Sequence, residues 1–105
     1  MKMIIKARHL ELDESDKKYI EEEINKLKPL VWEPAIVEVT ISDEAGGKGG
    51  VDIKAEINIE CCGNFFNAKE TTSDIRGSID LAKEKMEIQL RKHKEKVIDK
   101  EQSKR

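Results

Sequence analysis

The chain is expected to fold as one α+β domain of order β-α-β-β-β-α, a four-stranded sheet with two helices packed on one face. Three observations predict it. Two segments, one after Asp13 and one after Ser73, repeat apolar residues at helical spacing, and each repeat makes a single stripe. Residues 51–60 alternate apolar and polar along their whole length, the pattern of a strand with one dry face. Shorter runs at 2–8, 35–42 and 65–70 bring the strands to four. Two one-sided helices can cover one face of such a sheet, so the other face is expected to be wet and polar.

Each element has its own justification. KMIIKAR, residues 2–8, is a short β-branched run. Asp13 is a suitable helix N-cap, and Glu14 and Asp16 put carboxylates in the first turn, where the helix dipole favours them. Ile20, Ile24 and Leu27 form the stripe, and Pro29 is expected to stop the helix near Lys28. In AIVEVTIS, residues 35–42, Val37, Val39 and Ile41 share a face. DEAGGKGG, 43–50, reads as a loop; its GGKGG lacks phosphate-loop spacing and precedes a strand rather than a helix. Val51, Ile53, Ala55, Ile57 and Ile59 then oppose Asp52, Lys54, Glu56, Asn58 and Glu60. Gly63-Asn64 is expected to make a hairpin turn into a fourth strand with Phe66 and Ala68 on its core side. Thr72 or Ser73 caps the second helix, whose stripe is Ile75, Ile79, Ala82, Met86, Leu90 and Val97. Beyond residue 98 apolar side chains run out, so 99–105 is expected to be a charged, disordered tail to a domain spanning 1–98.

With 105 residues, 37% hydrophobic and 40% charged, the chain has a thin core and a heavily solvated surface. Cys61 and Cys62 are adjacent, so on a strand they point to opposite faces and cannot staple distant segments; two free thiols in a reducing cytosol are expected. No run is apolar enough for a signal peptide or a membrane span, which points to a soluble, cytoplasmic protein with no membrane partner. His9 and His93 are the only histidines, and neither belongs to a nucleophile or metal motif. An enzyme, a cofactor, a metal and a small-molecule substrate are therefore not expected.

The net charge of −2 conceals an asymmetry. Residues 83–105 carry nine Lys/Arg against five Asp/Glu, while the remaining 82 residues carry eleven against seventeen. A basic C-terminal fifth on an acidic body suggests an anionic partner for one end. Its densest part is QLRKHKEK, residues 89–96. Leu90 anchors the stripe, while Arg91, Lys92, Lys94 and Lys96 spread cations around the last turns. Cations there suit the helix dipole, and the same cluster can neutralise phosphates and release their counterions. Lys85, seven residues before Lys92, shares its face.

From residue 3 to about 97 the chain resembles the ribosome hibernation-promoting factors, or ribosome-associated translation inhibitors, in their short form. The last helix carries the most specific part of the resemblance. The family reads roughly D-x-Y-x-A-I-D-x-x-x-D-K-L-x-R-Q-L-x-K-H-K-x-K, and Asp74, Ile79, Asp80, Lys85, Gln89, Leu90, Lys92, His93, Lys94 and Lys96 stand in matching places. LELDES at the first helix and the Val37/Val39 strand also fit. Arg76 replaces a family Tyr, Ile88 replaces a family Arg, and GGKGG replaces a more polar hairpin. The resemblance implies the β-α-β-β-β-α fold and a partner in the small ribosomal subunit, its rRNA and the whole ribosome. It implies occupancy of the channel used by mRNA and by A- and P-site tRNA, silencing ribosomes under stress or in stationary phase.

The expected RNA contacts are Lys85, Arg91, Lys92, His93, Lys94 and Lys96, with Lys17, Lys18 and Arg8 as extensions of the patch. Two other readings are a double-stranded-RNA-binding-like module and a non-RNA protein-interaction domain. Against the first, the segment TTSDIRGSID places acids early in the last helix, where such modules carry lysines.

Overall fold

The structure, a computed structural model, describes residues 1–44 and 52–103, with 96–103 as backbone only. The Gly-rich loop 46–50, Val51, the side chains of Lys96 and Val97, and residues 104–105 lie outside the described residues. The order is β1 (Lys2–Arg8), α1 (Glu14–Asn25), a 3₁₀ turn (Lys28–Leu30), β2 (Ala35–Asp43), β3 (Ile53–Cys61), β4 (Asn64–Thr72) and α2 (Ile75–Ser103). The α+β fold expected from the sequence is the fold found.

The four strands lie side by side in chain order. β1 pairs parallel with β2, as a strand–helix–strand crossover requires, whereas β2–β3 and β3–β4 are antiparallel. Register puts Met3 beside Val37 and Ile59, and Ile5 beside Val39 and Ile57. These side chains point to the helices. Ile20 and Ile24 of α1 and Ile79, Ala82, Met86 and Leu90 of α2 meet them in one core. The opposite sheet face carries rows such as Lys6, Thr40, Glu56 and Lys69. Apart from the half-buried Ile4, it is polar except where Ile36 and Phe65 stand 46% and 67% exposed.

Local chemistry moved several boundaries. The α-helical part of α1 ends at Asn25 rather than near Lys28. Pro29 has no N–H to bond the Asn25 carbonyl, and its ring clashes there, so Lys26 and Leu27 close the helix with i−3 bonds to Glu23 and Ile24. The β3–β4 turn is Cys62-Gly63, one residue earlier than expected. Cys62 and Gly63 have φ of 55° and 73°, the two left-handed residues of a type I′ turn, and Cys61 opposes Asn64.

The cap of α2 is Asp74, not Thr72 or Ser73. Its Oδ1 accepts the Gly77 amide at 2.5 Å, while the Thr72 hydroxyl is 2.8 Å from the Asp74 carbonyl oxygen. Gly77 makes that close approach possible, since a Cβ there would stand 2.6 Å from the Asp74 carboxylate oxygen. The fully buried Ser78 hydroxyl accepts the Thr72 amide and lies between the Ile53 and Asp74 carbonyls, tying the start of α2 to β3. At the other end the helical backbone runs to Ser103. No Gly or Pro intervenes to stop it.

Ile57 is fully buried at the centre of the sheet. Ile57→Ala is expected to lower unfolding free energy by about 2–5 kcal/mol, measured by urea denaturation.

Candidate functional site

The position of every cation on α2 follows from its buried stripe. Ile79, Ala82, Met86 and Leu90 face the sheet, and at 100° per residue His93 continues that line. His93 is half-buried, its ring 5.3 Å from Phe66 in an edge contact and 6.1 Å from Trp32. Sequence reasoning placed His93 among the RNA contacts without seeing this packing. The signal was available, because residue 93 lies three after Leu90 in the stripe.

Lys85, Arg91, Lys92 and Lys94 radiate from the same helix. Lys85 and Gln89 lean to the open edge of β4, donating to the backbone carbonyls of Lys69 at 3.5 Å and Asn67 at 2.7 Å. They cover strand groups that would otherwise template another chain. Lys85 also pairs with Glu70 at 2.5 Å, and Arg91 pairs with Glu87 one turn earlier at 2.8 Å. Such exposed pairs contribute only about 0.2–1 kcal/mol, so both cations can be surrendered to an anionic partner at little cost. Lys92 is exposed and Lys94 half-buried, and neither makes an ion pair with another described residue. Of Lys96 only the helical backbone is described.

Lys17, Lys18 and Arg8 lie elsewhere. Contacts between the helices advance together: Ser15 with Arg76, Tyr19 with Asp80, Glu23 with Lys83. The helices therefore run parallel, and Lys17 and Lys18 sit level with the start of α2. Lys92 is twelve residues beyond Asp80, about 18 Å along the axis. Arg8 is also at the starting end, in the strand row of Ser42, Lys54 and Thr71. Of the nine residues expected to act together, Arg8, Lys17 and Lys18 thus lie at one end, Arg91, Lys92, His93, Lys94 and Lys96 towards the other, and Lys85 between them beside Lys69 and Glu70.

The helix seam has its own electrostatics. The Tyr19 hydroxyl donates to Asp80 at 2.5 Å, and the Arg76 guanidinium lies 4.7 Å above the Tyr19 ring. The bond to Asp80, reinforced by partial burial and by the Asp80 and Glu23 charges, pushes the phenol up to about 12; Arg76 acts in the opposite sense. Bonds from Lys26, and then Lys83, hold the Glu23 carboxyl below its usual range against the effect of partial burial. Cys61 is buried and Cys62 exposed, both as free thiols, and burial pushes the Cys61 thiol up. Among the described residues no group of three or more His, Cys, Asp or Glu could hold a metal ion, and no helix is long and apolar enough to cross a membrane.

Comparison with known proteins agrees with this architecture. The sequence profile of the family described as Sigma 54 modulation protein / S30EA ribosomal protein matches residues 3–98, and the chain belongs to that family. It is 31% identical over 101 residues to a ribosome hibernation promotion factor of Picosynechococcus sp., covering 95% of this chain and 52% of that protein. It is 29% identical over 105 residues to a ribosome hibernation promoting factor of Azotobacter vinelandii, covering 100% of this chain and 94% of that one. The chain thus spans about half the length of the first relative and nearly all of the second. The N-terminal domain of Thermus thermophilus protein Y superposes with a TM-score of 0.75 at 20% identity, over 89% of this chain and 99% of that one. A ribosomal subunit interface protein from Coxiella burnetii gives 0.75 at 15% identity, over 90% and 98%. At these identities the two structures establish likeness of fold.

Tyr19 is the only tyrosine, so its ionisation can be followed by ultraviolet absorbance. The phenol is expected to titrate near 12 rather than 10 while the protein stays folded. Because the folded-state value is the raised one, its contribution to stability is complete below pH 10 and is lost as pH rises towards 12. Glu23 has the opposite sign. Its folded-state value is depressed, so its contribution is lost as pH falls below about 4.5, and Glu23→Gln is expected to flatten the acid limb of a stability–pH curve.

Proposed function

We propose that this protein binds the small ribosomal subunit, and with it the whole ribosome, as a hibernation factor that keeps translation silent under stress or in stationary phase. The observation that carries the reading is the basic end of α2 in a chain of this family. Arg91, Lys92, Lys94 and Lys96 follow a buried Leu90 in the segment that matches the family pattern, on a body whose remaining charge is acidic. The names of the two curated relatives, both ribosome hibernation factors, support it.

The mechanism is steric. The last turns of α2 lie against rRNA backbone, where each neutralised phosphate releases counterions. The α/β body then fills the path of mRNA and of A- and P-site tRNA. No bond is made or broken. Phosphate contacts position a protein without reading sequence, so selectivity comes from the shape of the channel. The acidic remainder of the domain weakens loose binding to other RNA by like-charge repulsion. Residues 1–98 form the binding unit in this reading. Lys85 extends the contact along the β4 edge, and His93 serves by holding the helix end against Phe66 and Trp32. Arg8, Lys17 and Lys18, at the opposite end, form a separate and weaker contact.

Co-sedimentation with small subunits and whole ribosomes is expected to weaken as salt rises and to be competed by tRNA. Replacing Arg91, Lys92, Lys94 and Lys96 together by Ala is expected to leave the fold intact. It should weaken binding by at least about tenfold and flatten the salt dependence, because fewer phosphates are neutralised. Unchanged affinity in the folded variant would sink the proposed contact face.

A further inference from the structure

Trp32 is the only tryptophan in the chain, and the residue is 38% exposed immediately after the buried Val31. Its surroundings are specific. Phe66 of β4, His93 of α2 and Trp32 of the connector form a row of rings, with centroid spacings of 5.3 and 6.1 Å, and Trp32 is its open end.

The backbone under the ring is fixed. Cys62 Sγ lies 3.9 Å from the Trp32 carbonyl oxygen, while the Glu33 carboxylate holds both the N-terminal ammonium and the Ala35 amide. That ammonium also compensates the carboxylate next to the ring. On α2, Lys92 and Lys94 flank His93, one about 100° to either side of it. Glu95 is the nearby acid on that helix; it is exposed and lies about 160° round from Trp32's contact at His93.

We propose that Trp32 is a stacking platform for an unpaired RNA base, with the phosphates on either side of that base taken by Lys92 and Lys94. An exposed aromatic face among cations is the combination that binds single-stranded nucleic acid, because every base offers a π face whatever its identity. The row of rings behind Trp32 limits its motion, so little ordering is needed when a base arrives. An apolar protein segment would also cover the ring, but Lys92 and Lys94, on either side of His93, would gain nothing from it. The inference rests on the RNA-binding reading above and adds to it a contact with a base, where that reading has contacts with phosphates alone.

The test uses the single tryptophan as its own reporter. Wild-type protein is titrated with a short unstructured oligoribonucleotide, and with the same strand carrying abasic sites. Stacking predicts that the intact strand quenches Trp32 fluorescence. The abasic strand should bind about 5- to 150-fold more weakly and leave the emission almost unchanged. Equal affinity and equal quenching by the two strands would overturn the proposal, with no variant needed.

In co-sedimentation with small subunits, Trp32→Ala should weaken binding by a similar factor without altering the salt slope, and Trp32→Phe should restore much of the loss. Circular dichroism confirms that both variants fold. If Trp32→Ala pellets like wild type while the quadruple cation variant does not, stacking is overturned and the RNA-binding reading stands. If the wild-type protein binds neither oligonucleotide nor subunits at low salt, both readings fall and the ring belongs to a protein contact.

Discussion

Because Ile79, Ala82, Met86 and Leu90 must all leave water on one side of α2, the helix has a single rotational setting against the sheet. The rest of the molecule depends on that setting. It carries His93 to the aromatic rings and directs Lys85 and Gln89 to the edge of β4. It also sends Arg91 and Lys92 to solvent. A helix free to roll would present an averaged charge. One pinned by four buried side chains presents the same cations in the same places.

Polar ties at the start of α2 complement this apolar anchor along its length. Ser78 is fully buried, yet its hydroxyl has partners in Thr72, Ile53 and Asp74, so its burial leaves no orphaned polar group. Across the seam, Tyr19 with Asp80 and Glu23 with Lys83 hold α1 parallel to α2. These ties set the helix pair, and both starting ends then lie together with Arg8 at the end of β1. The basic turns of α2 are left to project from the opposite end.

Element existence was legible because apolar spacing has different periods in helices and strands. The alternation from Ile53 to Ile59 and the stripe from Ile75 to Leu90 each allowed one reading. Element ends were less legible. Asp74 rather than Thr72 caps α2 because Gly77 lets its amide approach the carboxylate, a contact between neighbours that composition does not reveal. Cys62 took the first left-handed place in the hairpin, although Cys is not a residue expected there. α1 ends at Asn25, short of Pro29 itself, because the effect of the proline reaches back to the carbonyl four residues earlier.

By itself the sequence determined the order of elements, the residues that form the core and the concentration of cations after Leu90, since these follow from local pattern and count. Only the tertiary structure decided which cations stand together. Lys17, Lys18 and Arg8 are separated from Arg91 and Lys92 because the crossover from β1 to β2 runs α1 parallel to α2, and that direction is a property of the sheet pairing. It also decided that His93 meets Phe66 and Trp32. Trp32, Phe66 and His93 are distant in sequence, and no local pattern links them; only packing of the connector, β4 and α2 on one core brings their rings into a row.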